Sequence, residues 1–223
     1  SIMLDYFRNP VLLEKQSIVQ AMHAAEPYVK GLVIDIGCGE KPYASFFKID
    51  AHQYVGLDVD CANNKQIDIC ADSLLLPIKT ESVDTVVTNQ TIEHVKHPEV
   101  FMREIARVMK PGATLVLTAP QLWCLHEKPF DFYRFTRYGL TLLCNDNNLE
   151  VVLLQERFGA FAAIGQMLSL MIYLPQSHSS LRTHLARPMF GSVQVVFKFL
   201  DRLFFNPDLT LGYLLIATKP SRK

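Results

Sequence analysis

Three short apolar runs in the first third of the chain each lead into an aspartate. "GLVIDIG" carries Asp35, followed by Gly37, Cys38 and Gly39. "QYVGLDV" ends on Asp58 and Val59, and "QIDICA" leads to Asp72, Ser73 and Leu74. If the runs are parallel strands, these residues lie beyond the strands' carboxyl ends, where open α/β sheets bind ligands. A Gly-x-Gly turn lets the chain take positive backbone angles and bring its main chain against a ligand. Where a dinucleotide loop carries its third glycine stands Pro42, suited to a helix's first turn but without an amide hydrogen for a phosphate. Asp35 would repel a pyrophosphate and attract an ammonium, which disfavours a nicotinamide oxidoreductase. Asp58, about twenty residues after Gly37, is placed to accept both hydroxyls of a ribose. Asp72 can accept from an exocyclic amine such as that of adenine, with the amides of Ser73 and Leu74 reading the ring nitrogens.

Ribose, adenine and ammonium together describe S-adenosylmethionine. Its sulfonium gives up a methyl group by in-line displacement, so a second set of residues must receive the acceptor. Candidates follow the next two apolar runs. "NQTIEHV" offers His94 to the acceptor; "PQLWCLHEKPFDFYRFTRYGL" offers Trp123, His126, Tyr133 and Arg134. His126 is the best general base for a hydroxyl acceptor, because an imidazole titrates near working pH. Asp131 and Arg134, three apart, either pair with each other or leave Arg134 to hold an anionic acceptor. Cys38 reads as a small apolar filler.

The elements that must position these residues alternate between strand and helix from about residue 31 to 156, the order of a parallel sheet covered by helices. The runs are nearly continuous rather than alternating, as strands buried on both faces should be. "HPEVFMREIARVMKPG" sets Val100, Phe101, Ile105, Val108 and Met109 on one face of a crossover helix. Residues 1–30 read as an N-terminal helix, 31–156 as the cofactor-binding core, 157–208 as a helical insertion or lid and 209–219 as the last strand of a single domain.

These blocks resemble the class I S-adenosylmethionine-dependent methyltransferases, in the branch called type 11. The resemblance rests on "VIDIGCGEKPY", "YVGLDVD", "ICADSLLLPIKTESVDTVVTNQTIEHVKHPEVFMREIARVMKPGATLVLTAP" and "LHEKPFDFYRFTRYGL", roughly residues 31 to 156. It implies a Rossmann-like seven-stranded sheet whose last strand is antiparallel. It also implies that Asp35, Gly37 and Gly39 hold the methionyl part, Asp58 and Val59 the ribose edge, Asp72 and Ser73 the adenine, and Asn89 and Gln90 the sulfonium side, with S-adenosylhomocysteine as product. Glu40, Lys41 and Pro42 depart from the family's usual further glycine, which bears on the local loop path. The acceptor expected is a small molecule, a sugar or lipid-linked sugar hydroxyl being preferred. A non-catalytic cofactor-fold protein, acting as a sensor or a partner-binding subunit, is the alternative.

Composition narrows the partners. Twenty-two basic residues balance 22 acidic ones, so no global field favours nucleic acid. Five scattered cysteines without a C-x-x-C pair suit neither a disulfide framework nor a zinc site, and neither a metal site nor a targeting segment is expected. A cytoplasmic location follows, with peripheral membrane contact open. From Phe158 to Leu181 no Asp, Glu, Lys or Arg occurs, yet the part before Pro175 falls short of the roughly 20 apolar residues of a membrane span. Gly165, Gln166 and Ser169 form its small, polar face. Segment 158–205 is thus expected to cover the domain, a second copy of the chain, an acceptor tunnel or a bilayer surface.

Overall fold

In a computed structural model, which describes residues 2–62, 64–174 and 180–221, the apolar runs become one seven-stranded sheet. Its strands are β1 (Val33–Ile36), β2 (Tyr54–Asp58), β3 (Ile69–Cys70), β4 (Val83–Asn89), β5 (Met109–Pro120), β6 (Glu150–Glu156) and β7 (Gly212–Thr218). They lie in the order β3-β2-β1-β4-β5-β7-β6. β1 pairs in parallel with both β2 and β4, so Asp35 sits opposite Gly56 on one side and Val87 on the other. That is where the strand order reverses, and a crevice opens there in folds of this kind. β7 runs antiparallel to β5. Gly112 N donates to Lys219 O at one end, and Gln121 N donates to Leu211 O at the other.

The chain divides into two compact units. The larger, Ala21–Pro120, Leu125–Gln155 and Tyr213–Lys223, holds the sheet. Its core combines β1, β4, β5 and β7 with the inner face of α3 (Pro98–Val108), where Phe101, Met102, Ile105 and Val108 are buried. Met109, expected on that helix, instead begins β5. After the acceptor loop, α4 (Arg137–Asn145) starts at Thr136, whose hydroxyl accepts from Gly139 N at 3.1 Å.

No α-helix follows β1, contrary to the expectation that Pro42 opens one. Two single-turn 3-10 helices, Ala44–Phe46 and Ala51–Gln53, lead into β2. Phe47 is buried and its ring stacks 6.1 Å from that of Tyr54, tying this short path to β2. The cysteine expectation also fails, because Cys61 and Cys70 form a disulfide. The β2–β3 register sets Cys70 opposite Asp58 and so brings the two strand ends together. Scattered cysteines therefore no longer argue for a reducing compartment.

The smaller unit comprises Ser1–Gln20, Gln121–Cys124 and Glu156–Gly212. The expected N-terminal helix is two, α1 (Ile2–Tyr6) and α2 (Leu12–Ala25), the second ending in the larger unit. The insertion is a helix pair, α5 (Ala160–Tyr173) and α6 (Ser180–Leu203); residues 175–179 of the uncharged stretch lie outside the described ones. Polar groups hold this unit together from inside. Arg157 and Glu14 are both buried and pair at 2.7 Å. Asp201 accepts from the amides of Gly159 and Ala162, while Gln166 and Ser169 both donate to Pro10 O at 2.8 Å. Gly165 leaves room for Phe197, whose Cβ would lie 2.3 Å from a methyl at 165.

Candidate active site

The first three site elements lie at the carboxyl ends of β1, β2 and β3. Asp35 is buried, and Tyr54 donates its hydroxyl to Asp35 Oδ2 at 2.7 Å. Burial pushes the Asp35 carboxyl up to about 7, the neighbouring Asp58 adds to the rise, and the Tyr54 bond and Lys41 act against it. Gly37 and Gly39 both have positive φ, 73° and 47°. They differ in what surrounds them. A Cβ on Gly37 would collide with Thr91, whereas one on Gly39 would meet nothing within 4 Å, leaving open space along the main chain there. Cys38 is buried with its thiol pushed up to about 12, chiefly by burial and then by Asp35, which makes it an inert filler.

Asp58 and Asp72 are partly engaged by their own loops. Asp58 accepts from Gly39 N at 3.0 Å, Val59 N at 2.7 Å and Asp60 N at 3.2 Å. The carboxylate thereby fixes the Gly-x-Gly turn against the end of β2 and keeps acceptor capacity on Oδ2. Asp72 accepts from Leu74 N at 2.8 Å, so that amide closes a local turn rather than facing outward to read a ring as expected. Lys41, which sequence reasoning passed over, pairs with Asp68 across the loop, and Asp68 also accepts from Gly56 N at 2.7 Å.

Asn89 ends β4, Gln90 follows it, and both are held by Thr118 on β5. The Thr118 hydroxyl donates to Asn89 Oδ1 at 2.6 Å and accepts from Gln90 Nε2 at 3.1 Å. No sequence signal marked Thr118, an ordinary strand threonine until the register places it beside Asn89.

The acceptor loop is fastened to the one-turn helix Ile92–His94. Glu93 O accepts from Phe132 N and Tyr133 N at 2.9 and 3.2 Å, and Tyr133 donates its hydroxyl to Lys96 O. His94 Nδ1 lies 2.9 Å from Phe130 O. These contacts bring His94 and His126 edge to face, with ring centroids 4.6 Å apart. His126 Nδ1 stands 3.3 Å from Asp131 Oδ2, which also accepts the His126 amide. Arg134 grips Asp131 with two nitrogens, at 2.6 and 2.9 Å, and holds its carboxyl well below the usual carboxylate range. That settles the open pairing. Arg134 braces Asp131, the first of the two alternatives. Trp123 is placed in the smaller unit, partly buried against a cluster that includes Tyr6, Leu13 and Leu211. Glu93, buried, joins the two histidines. One ligand-capable atom from each lies within 4.8 Å of the others, and Glu127 Oε2 is 3.6 Å from His94 Nε2.

Residues 34–117 match the family described as "Methyltransferase domain", type 11. This stretch is a class I S-adenosylmethionine-dependent methyltransferase domain of the type 11 branch. A "Probable S-adenosylmethionine-dependent methyltransferase" of Mycolicibacterium smegmatis is 34% identical over 147 residues, 60% of this chain and 56% of its own. A mitochondrial ubiquinone biosynthesis O-methyltransferase of Mus musculus is 26% identical over 113 residues, 43% of this chain and 30% of its own. The chain thus spans about half the length, or less, of these relatives. Among solved structures, the [4+2]-cyclase SpnF superposes with a TM-score of 0.60 at 18% identity, covering 92% of this chain and 81% of its own. A Haemonchus contortus phosphoethanolamine N-methyltransferase bound to S-adenosylhomocysteine gives 0.56 at 16% identity, covering 91% and 53%. Those two likenesses establish the seven-stranded methyltransferase fold and leave the reaction to the site.

Proposed function

We propose that the chain transfers a methyl group from S-adenosylmethionine to a hydroxyl oxygen of a small molecule, with His126 as the general base. The observation that carries this reading is the Asp131–His126 pair. An Asp131 held ionised by Arg134 favours the tautomer with its proton on Nδ1, which leaves Nε2 of His126 able to accept. As the acceptor oxygen forms its bond to the methyl carbon, the carbon–sulfur bond breaks and its electrons neutralise the sulfonium. The hydroxyl proton passes to His126 Nε2, and S-adenosylhomocysteine leaves. Asp35 and the Gly37–Gly39 turn would hold the methionyl end, Asp58 with Val59 the ribose, Asp72 with Ser73 the adenine, and Asn89 with Gln90 the sulfonium side. Exposed rings of Phe130, Phe132 and Tyr133 beside the histidines offer flat apolar faces, and support a sugar or lipid-linked sugar acceptor.

A metal-assisted form of the same transfer is the second reading, favoured by the Glu93, His94 and His126 grouping. Two imidazoles and a carboxylate suit zinc or another borderline dication rather than magnesium. Turnover of labelled S-adenosylmethionine with a panel of sugar and lipid-linked sugar acceptors, with and without a chelator, tests both. Activity indifferent to chelation keeps His126 as base; loss restored by zinc selects the metal. Calorimetric binding of NADH in place of S-adenosylmethionine would sink both, and cofactor binding without turnover on any acceptor would favour a sensor.

A further inference from the structure

The α5–α6 pair has its polarity reversed. Its inward residues include Gln166, Ser169 and Gln194, each fully buried, together with Asp201. Gln194 donates to Tyr6 O and Asn9 O, as Gln166 and Ser169 do to Pro10 O. Many of its outward residues are large and apolar. On α6, Leu181, Leu185, Met189, Val196, Phe199 and Leu203 are all more than half exposed, and their three- and four-residue spacing sets them in one stripe along the helix. α5 adds Met171 at 68% and Ile164 at 40% exposure, and Phe204 and Phe205 extend the apolar surface past the end of α6. A helix of a water-soluble protein turns its apolar stripe to the core and its polar face to solvent. Polar groups satisfied inside and hydrocarbon presented outside is the arrangement of helices whose surroundings are lipid.

The charges on α6 choose between lipids and a second copy. Its cations are Arg182, Arg187, Lys198 and Arg202; its only acid, Asp201, is buried under the α5 amino end. Arg182 and Arg202 are exposed at opposite ends of the stripe. Two copies meeting through this face would bring like charges together, whereas an anionic bilayer complements them. None of the described helices is long and apolar enough to cross a membrane.

We propose that the outward face of α5 and α6 is a monotopic docking surface, lying in the headgroup boundary of an anionic phospholipid bilayer with the apolar stripe inserted and the arginines on phosphates. This inference does not depend on the methyl-transfer reading. The test is co-flotation of the whole chain with phosphatidylglycerol–phosphatidylcholine vesicles, against phosphatidylcholine vesicles and no lipid. Flotation with the anionic vesicles is expected. Leu185→Glu with Phe199→Glu should lower the partition coefficient by about tenfold or more, since each change replaces inserted hydrocarbon by an anion. Arg182→Gln with Arg202→Gln should lower it less and flatten its salt dependence. Retained S-adenosylmethionine binding and circular dichroism would establish that each variant is folded. No flotation at low salt, or flotation unaffected by the two glutamates, overturns the proposal. So does light scattering that finds a lipid-indifferent dimer dispersed by the same glutamates, which would make the stripe a self-association face.

Discussion

Gly37 and Thr91 stand so close that a β-carbon on Gly37 would lie 2.3 Å from Thr91 Oγ1. With φ at 73°, Gly37→Ala adds backbone strain to this collision and should destabilise the larger unit by about 2 to 4 kcal/mol. Thr91→Ala removes the Oγ1 and Cγ2 collisions but leaves the Cβ at 2.9 Å and the strain, so the double variant should recover only part of the loss. Gly39→Ala meets no neighbour and should cost about 1 to 2 kcal/mol in folding, from φ alone. Its larger effect is expected on S-adenosylmethionine affinity. Urea denaturation beside calorimetry separates the three variants.

Asp35 makes cofactor binding depend on pH. Its carboxyl is pushed up to about 7 by burial, so lowering the pH through neutrality neutralises the group proposed above to meet the cofactor's ammonium. Affinity should fall by about tenfold per pH unit below 7, and Asp35→Asn should flatten that dependence while weakening binding at pH 8. Folding has the opposite preference. A carboxyl whose folded value lies above its unfolded 3.8 contributes stability below about 4 and loses it as pH rises through 7. Asp35→Asn should therefore be at least as stable as the parent at pH 8. A variant that is both less stable and equally pH-dependent would assign the titration elsewhere.

His126 and Asp131 should separate chemistry from cofactor binding. His126→Ala is expected to lower kcat by roughly 10²-fold or more with S-adenosylmethionine affinity unchanged. Asp131→Asn keeps the shape but loses the anion that orients His126 Nδ1, and should lower kcat with S-adenosylmethionine affinity unchanged. A kcat unmoved by both changes would remove His126 as the base.

Glu14 and Arg157 test how the smaller unit is held. Removing one partner leaves the other charged and buried, so Glu14→Gln should destabilise that unit by about 3 to 5 kcal/mol. Glu14→Leu with Arg157→Met should recover much of the loss. Denaturation followed by circular dichroism checks both, and equal midpoints for parent and Glu14→Gln would count against a buried pair.

The central strands were legible because strands buried on both faces read as unbroken apolar runs, and Asp35, Asp58 and Asp72 fall at or just past their carboxyl ends. Their consequences were less legible. Whether Asp58 faces a ribose or the amide of Gly39 depends on the turn, and the turn after β1 departs from a helix. The meeting of His94 with His126 is a tertiary fact, created by hydrogen bonds from a loop on β5 to a turn after β4. The Cys61–Cys70 bond needed the β2–β3 register. α4 was passed over because "RYGLTLLCN" carries a glycine and a β-branched threonine, both weak helix formers. In α5 the residue types were read correctly, but periodicity does not say which of two faces points inward. Gln166 and Ser169 turn inward because the chain offers them Pro10 O.

The bonds from Phe130, Phe132 and Tyr133 to the segment 93–96 have a kinetic meaning. A recognition loop without such anchors must be ordered by each ligand, at a backbone entropy of about 1 to 2 kcal/mol per residue fixed. Here that entropy is lost once, when the chain folds, so an acceptor received there as proposed above would meet a surface already ordered. Encounter is then governed by diffusion and orientation rather than by the waiting time for a closed conformation.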